Sequence, residues 1–413
     1  MKYSRVYLYL NFLQIIQSLF KNYKKSKVIV EAEFKEKLNK ENIHLTGMCR
    51  TAFLIVLEYL IKNYPQKKEL IVCSYNLKEL IDVARLKDFK IVFADVDKEN
   101  GMIVESDVLN KINKNTAAVL FTNMFNDFSS LKKIAAICKQ EEIIMIEDLA
   151  IYFGNHSNYK YAGSIGDVSI LSFGIMKNIS AFFGGALLTN NRSISEYARN
   201  RIDGFKNFPQ KVYLKNIVLF IILKFFLSRI IYNFFFFYII KLGSINNIFF
   251  INSKIYPALK FKKKNNIPSF YYSKISKLSV KIVHTIISSQ SFLKSTNIRK
   301  DNNKFYFNGL KNLKDVRAIP IIDFDFQNFL DFPIIVKHKK ELIKYLFEKG
   351  LETREHFYEN CENLINNNVT NNASYYEKSL LCLPSHKKIK KETMQKYLDE
   401  IKNFYQTYKN QKN

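Results

Sequence analysis

Two short segments decide the fold: Ile144-Met-Ile-Glu-Asp148 and, further on, Ser172-Phe-Gly-Ile-Met-Lys177. Each belongs to an apolar run that ends in polar side chains. That is the pattern of a strand buried on both faces that delivers chemistry beyond its C-terminal end. Working outward, Leu70–Ser74, Lys90–Asp95, Ala117–Thr122 and Ile143–Glu147 read as strands, and Ser169–Phe173 and Ala186–Thr189 close the series. Between them, Thr51–Tyr64, Leu77–Leu86 and the amphipathic Ser130–Gln140 read as helices. Buried strands alternating with crossover helices predict an α/β fold with a mostly parallel central sheet.

The rest of the chain divides around this core. An N-terminal arm and the large domain occupy residues 1–204, a basic aromatic-rich insertion residues 205–300, and a smaller C-terminal α/β domain residues 301–413. In the last, Asn302–Asn312 reads as helix, Phe332–Val336 as strand, and Lys339–Gly350 and Glu392–Tyr408 as helices. A length of 413 residues is ample for two or three domains, and 47% hydrophobic with 24% charged residues is a globular composition, not a disordered one. The five cysteines (Cys49, Cys73, Cys138, Cys361, Cys382) are scattered without a CxxC pair, and the six histidines show no ligand spacing. This argues against a metal centre and a disulfide framework, and for a reducing, cytoplasmic compartment. Met1–Phe20 is apolar, but no small-residue cleavage site precedes Lys21–Lys27, which argues against a secretory leader.

Charge is the loudest compositional feature. Lys and Arg number 64 against 37 Asp and Glu, a net charge of +27, and no acid occurs between Asp203 and Asp301. Residues 205–300 carry 17 of the basic residues, so this block reads as a surface for an anionic partner, phospholipid or nucleic acid. No recognition helix or RNP-like motif supports nucleic acid. Ile217–Ile240 is long enough to span a bilayer at about 1.5 Å per residue. Lys224 and Arg229 interrupt it, each costing ~3 kcal/mol at mid-membrane. A single crossing would also strand the C-terminal domain on the far side, and the next apolar run, Ile248–Ile251, is too short to return. The expectation is a shallow interfacial or re-entrant hairpin docked on an anionic membrane, peripheral on the inner face of the plasma membrane. A helical pair at a dimer interface is the alternative. The Lys262-Lys-Lys264 cluster would add phosphate-binding charge.

An Asp, a Ser and a Lys converging on one crevice suit an anionic, aromatic, carbonyl-bearing cofactor. The acid would hold a pyridinium proton, the hydroxyl a phosphate, and the amine a Schiff base.

These residues resemble the motifs of the DegT/DnrJ/StrS sugar aminotransferases, pyridoxal-phosphate enzymes of the aspartate-aminotransferase fold type I. Glu33-Phe34 with Thr46-Gly-Met-Cys-Arg-Thr-Ala52 is similar to the family's first helix and phosphate-binding turn. Phe93-Ala-Asp-Val-Asp97, Ile146-Glu-Asp148 with Ala150 and Gly154, Gly163-Ser-Ile-Gly-Asp167, Ser172–Asn178 and Gly184-Gly-Ala186 follow in the family's order. Phe332-Pro333 and Leu383-Pro-Ser-His386 resemble landmarks of its C-terminal domain. The resemblance implies pyridoxal 5'-phosphate as cofactor, with Lys177 as the catalytic lysine and Asp148 beside the pyridine nitrogen. Ser172 and the backbone near Cys49 and Arg50 would hold the phosphate. A lysine at position 177, where the family's dehydratase branch has histidine, favours transamination. The implied substrates are a nucleotide-linked keto-sugar and an amino-acid donor, glutamate, in a pathway to surface polysaccharide or glycoconjugate, and the implied assembly is a homodimer.

The chain departs from the family at three places. Ile151 stands where a Gln often touches the ring hydroxyl, and Met48 and Cys49 make the phosphate turn bulkier. Cys73-Ser-Tyr-Asn-Leu77 replaces the usual loop, leaving Tyr75 or Leu77 as the residue over the ring. A catalytically degenerate, membrane-associated structural protein is the competing reading. His356 beside Arg354 reads as a surface loop before a substrate contact, and His386 as structural.

Overall fold

The computed structural model describes residues 2–125, 127–151, 153–154, 156–157, 160–246, 248, 266–327, 329–366 and 371–410. The Lys262–Lys264 cluster and most of the Ile248–Ile251 run lie outside the described residues.

A nine-stranded sheet forms the large domain. Its strands are β1 (Asn42–Thr46), β2 (Glu69–Cys73), β3 (Lys90–Ala94), β4 (Thr116–Thr122), β5 (Ile144–Leu149), β6 (Val168–Ser172), β7 (Gly185–Thr189), β8 (Lys206–Asn207) and β9 (Ser273–Lys274), in the order β8-β9-β1-β7-β6-β5-β4-β2-β3. The run from β6 to β3 is parallel, whereas β7 pairs antiparallel with both β6 and β1. Every residue of β2 and β4 is buried, as expected of parallel strands covered by helices on both faces. Register places Asp148 between Thr122 and Ile170, and Ser172 opposite Gly185.

The covering helices form where the sequence supplies a stripe. Tyr23–Leu38 buries Ser26, Val30, Phe34 and Leu38 at a spacing of four, starts under an Asn22 side-chain cap and stops at Asn39 in the left-handed conformation. That stripe packs on the helix Lys277–Ile287. The helix Cys49–Asn63 is buried almost all round and lies over β6 and β7.

The insertion is narrower in the structure than residues 205–300, because β8, β9 and Lys277–Ile287 join the large domain. The helix expected at Asn302–Asn312 runs from Gln290 to Leu310, through the boundary placed at residue 300. Its buried face is largely polar (Ser295, Arg299, Asn302, Asn303), so there is little apolar period to betray its first three turns.

What remains of the insertion is a helical hairpin. Gln210–Phe226 forms its first arm, and Arg229–Ile245 its second, which contains a π-helical turn at Tyr232–Phe236. The arms meet at 64°, and no single described helix is long and apolar enough to cross a membrane. Tyr232, Phe237 and Ile240 pack with Phe347 of the small-domain helix Lys339–Glu348. The small domain adds an antiparallel sheet, β10 (Val316–Ala318), β11 (Asp331–Val336), β12 (Arg354–Glu355) and β13 (Leu380–Pro384), in the order β10-β11-β13-β12. A short antiparallel ladder of Tyr75–Asn76 with Glu359–Asn360 ties the two domains together.

Candidate active site

The strand ends, the start of the helix Cys49–Asn63, the hairpin and the small domain enclose one cavity of about 1030 Å³. Ser172 reaches it from the end of β6, and Lys177 from the turn that follows. Asp148 is buried near the end of β5 and outside the cavity lining itself, and its Oδ1 accepts a hydrogen bond from the Ala150 N–H at 2.8 Å. Burial pushes the Asp148 carboxyl up to about 6, against the pull of the Ala150 N–H and the Lys177 ammonium. Burial likewise lowers Lys177, while Asp148 and Cys49 pull it back up. The two groups are therefore electrostatically coupled, with titrations driven toward each other, a setting suited to moving protons.

The wall at the start of the helix Cys49–Asn63 is built by close approach. Met48 caps the helix without a side-chain hydrogen bond, no acid sits in its first turn, and Met48, Cys49 and Arg50 at its start line the cavity. A Cβ added to Gly185 would lie 2.4 Å from the Cys49 nitrogen and 2.5 Å from the Met48 carbonyl carbon. Glycine at 185 is what lets β7 lie against this turn. Gly47 likewise has no room for a side chain: its Cβ would meet Ser273 Oγ at 2.2 Å, and its N–H donates to the Ser273 carbonyl at 2.9 Å.

Arg50 is held by partners that sequence reasoning missed. It is ion-paired with Glu79, and it donates to the Tyr271 hydroxyl, which in turn donates to Glu79 at 2.7 Å. Glu79 lies two residues past the Leu77 loop, and Tyr271 enters from 221 positions beyond Arg50, so no local pattern announced the triangle. Part of the Arg50 charge is already spoken for, which leaves the helix N–H groups and Ser172 as the less committed anion donors.

Leu77 lines the cavity; Tyr75 is buried behind it, its hydroxyl 3.2 Å from His356 Nδ1. His356 was expected in a surface loop; instead it lines the cavity, and burial with the Arg354 and Lys339 charges holds it well below the ordinary histidine range, neutral. Arg354 also lines the cavity, ion-paired with Asp331 at 2.8 Å. Thr353 beside it is buried, and its Oγ1 has no hydrogen-bond partner among the described residues. Lys340 and Lys344 add two ammonium groups to the small-domain wall, and Ile151 stands in the lining where a Gln was expected by resemblance. His386 is bound to the backbone, its Nε2 2.7 Å from the Ser4 carbonyl, and stacks on Tyr7. Among the described residues no group of three His, Cys, Asp or Glu side chains is placed to hold a metal ion.

Residues 11–218 match the model of the DegT/DnrJ/EryC1/StrS aminotransferase family. Among curated relatives, a GDP-perosamine synthase of Vibrio cholerae is 28% identical over 161 residues, 39% of this chain and 43% of that protein. The GDP-perosamine synthase of Escherichia coli O157:H7 is 25% identical over 164 residues, 39% of this chain and 45% of that protein. The chain thus spans less than half the length of the curated relatives it matches. The fold extends further. An aminotransferase of pseudaminic acid biosynthesis from Helicobacter pylori superposes with a TM-score of 0.74 over 98% of this chain and 100% of its own, at 15% identity. A GDP-4-keto-6-deoxymannose-3-dehydratase with a trapped PLP-glutamate geminal diamine superposes with a TM-score of 0.71 over 96% and 99%, at 17% identity. The architecture is therefore that of the PLP-dependent fold type I sugar enzymes. With half its length matched by the family model and the whole of its fold shared, the chain belongs to the DegT/DnrJ/EryC1/StrS aminotransferase family.

Proposed function

We propose that this protein is a PLP-dependent aminotransferase that moves an amino group from glutamate to a nucleotide-linked keto-sugar. The observation that carries the reading is the convergence of Lys177, Ser172 and the Cys49 helix N-terminus on one cavity, with the buried Asp148 electrostatically coupled to Lys177. Pyridoxal 5'-phosphate is the cofactor of this family. The residues fit it: an amine lowered by burial, a carboxylate beside it, a glycine-dependent cradle at a helix start, and an orphaned Thr353 hydroxyl in the wall. When bound, it supplies an aldehyde and an electron-accepting pyridine ring.

Each side chain then has a stated task. Lys177, held toward its neutral form, is a nucleophile and a base able to move a proton at its Nζ. Asp148, ionised above about pH 6, would hold a proton on a ring nitrogen of the cofactor. Ser172 Oγ and the N–H groups of Cys49 and Arg50 would hold its phosphate, with the Arg50 guanidinium adding positive charge nearby. Leu77 and Ile151 supply apolar cover that excludes water, in place of the aromatic and Gln contacts expected by resemblance. Thr353, neutral His356, Lys340 and Lys344 face the remaining space and would orient a polar, phosphate-bearing substrate.

The similarity to GDP-perosamine synthases and to sugar aminotransferase folds supports the nucleotide-sugar class. A homodimer in the cytoplasm, resting on the inner face of the plasma membrane, completes the proposal. A structural protein that had lost the chemistry would not need Lys177 and the buried Asp148 kept in electrostatic contact. The test is a half-reaction: purified protein loaded with pyridoxal phosphate is mixed with glutamate, and 2-oxoglutarate and the loss of cofactor colour are followed. Stoichiometric 2-oxoglutarate, then amination of one of a panel of nucleotide keto-sugars, is the expected result. A colourless protein that never takes up the cofactor would overturn the reading.

A further inference from the structure

The hairpin carries its apolar residues on the wrong side for a core. Along its first arm Leu214, Val218, Ile221, Ile222 and Phe225 are exposed, at intervals of three and four that mark one helix face. The second arm exposes Ile230, Phe234, Phe235, Ile239 and Leu242, with Phe234 70% and Phe235 62% accessible. The N-terminal helix Phe12–Leu19 continues the same surface. Phe12, Leu13, Ile16, Leu19 and Phe20 are all at least half exposed, and the Phe12 ring meets Phe220 edge-on at 5.8 Å. Single exposed apolar residues need no explanation, but three adjoining helices with apolar outer faces mark an interaction surface.

Charge decides what it meets. Residues 210–246 contain Lys211, Lys215, Lys224, Arg229 and Lys241 and no acid. Lys211, Lys215 and Arg229 are exposed beside the apolar face. Lys224, which interrupts the apolar run in the sequence, is turned inward and donates to the Leu8 carbonyl at 3.1 Å. The outer face is thereby cleared of its mid-run cation. In a symmetric contact with a second copy this surface would face itself, cations against cations with no acid from the hairpin to offset them. A layer with an apolar interior and anionic headgroups complements both features at once. The 64° bend and the length of each arm suit lying in that layer, not crossing it.

We propose that the helix Phe12–Leu19 and the two arms of the hairpin form one surface that seats in the interfacial zone of an anionic bilayer. This rests on the membrane-face reading above and deepens it by adding the N-terminal helix and a link to the cavity. The inner side of the hairpin contributes Asn216, Leu219, Leu223 and Ile245 to the cavity wall. Tyr232 donates to the buried Glu352, the residue before Thr353, and Asn233 accepts from the Lys2 N–H at 2.8 Å. The docked surface and the cavity wall are thus two sides of one bolted element, so docking holds the cavity at the membrane face.

The test uses full-length protein and sedimentation with vesicles of phosphatidylcholine alone or mixed with phosphatidylglycerol, in low and high salt. Binding to the mixed vesicles that weakens in high salt is expected, with Phe234→Ser/Phe235→Ser lowering it about tenfold or more and Leu13→Ser/Phe20→Ser lowering it less. Circular dichroism of each variant confirms the fold. Equal binding to both vesicle types, or no binding, overturns the proposal. So does a Phe234→Ser/Phe235→Ser variant that turns from dimer to monomer in light scattering while vesicle binding stays unchanged, which would assign the surface to a second copy. Vesicle binding is read without turnover, so its failure leaves the aminotransferase reading standing, and the reverse also holds.

Discussion

Lys177 and Lys224 show how differently two regions of this molecule use a half-buried amine. Both are lowered by desolvation, Lys224 to about 8. Lys177 sits at the C-terminal end of a parallel sheet, where Asp148 and Cys49 oppose the effect of burial and anion donors line the same cavity. Lys224 sits on the first arm of the hairpin, its charge further disfavoured by Lys387 and Lys388, and donates to the Leu8 carbonyl of the N-terminal segment. Burial acts alike on both; the Asp148 carboxylate opposes it at Lys177, whereas neighbouring cations reinforce it at Lys224. The first region is the one proposed to handle protons, and in the second an inward-turned charge leaves the outer surface apolar.

Removing the amine of the first region should have the largest effect. Lys177→Ala is expected to lower transamination by about a thousandfold or more, measured as 2-oxoglutarate released per cofactor, while vesicle binding stays as in the parent. An equal loss of both would mean that the two regions are not separable.

Asp148→Asn comes next and sharpens the comparison, because activity and stability should move in opposite directions. Turnover should fall by about a hundredfold or more. The raised carboxyl means that the folded state binds the proton more tightly than the unfolded one. Ionisation therefore costs stability as pH rises from about 4 to 6 and leaves a constant penalty above that. Asparagine removes this penalty, so the cofactor-free variant should gain up to about 3 kcal/mol at neutral pH and little below pH 4. Urea titrations at the two pH values read this directly.

How much of this was legible in the sequence follows the range of the interactions. Asp148, Ser172 and Lys177 are visible because each terminates or follows a buried strand, and strand-end geometry is written within a few residues. The parallel order of the sheet follows from alternating periodicities in the same local way. Glu79, Tyr271 and Thr353 are not visible, because what brings them to Arg50 and to the cavity is tertiary packing across the sheet. Lys224 misleads for the same reason: a helical wheel places it opposite the other cations but does not show that Leu8 waits there. The polar buried face of Gln290–Leu310 hides that helix's beginning.

Gly185→Ala probes the cradle. Its methyl would meet backbone atoms of Met48 and Cys49 that cannot rotate away, so a loss of roughly 3 kcal/mol in urea unfolding is expected, with weaker cofactor retention. The same substitution at Gly174, where a Cβ would approach nothing nearer than 3.7 Å, should be far milder. The smallest effect on catalysis belongs to the hairpin. Phe234→Ser/Phe235→Ser should leave turnover of a soluble substrate unchanged while vesicle binding falls about tenfold.

The central claim, that Lys177 is the amine that carries the cofactor, is tested most directly by borohydride reduction of protein loaded with pyridoxal phosphate, followed by peptide mapping. A single pyridoxyl mark on the peptide containing Lys177, absent from Lys177→Ala, is the predicted result. A mark on another lysine, Lys224 included, or no mark on a protein that binds the cofactor, would contradict the account.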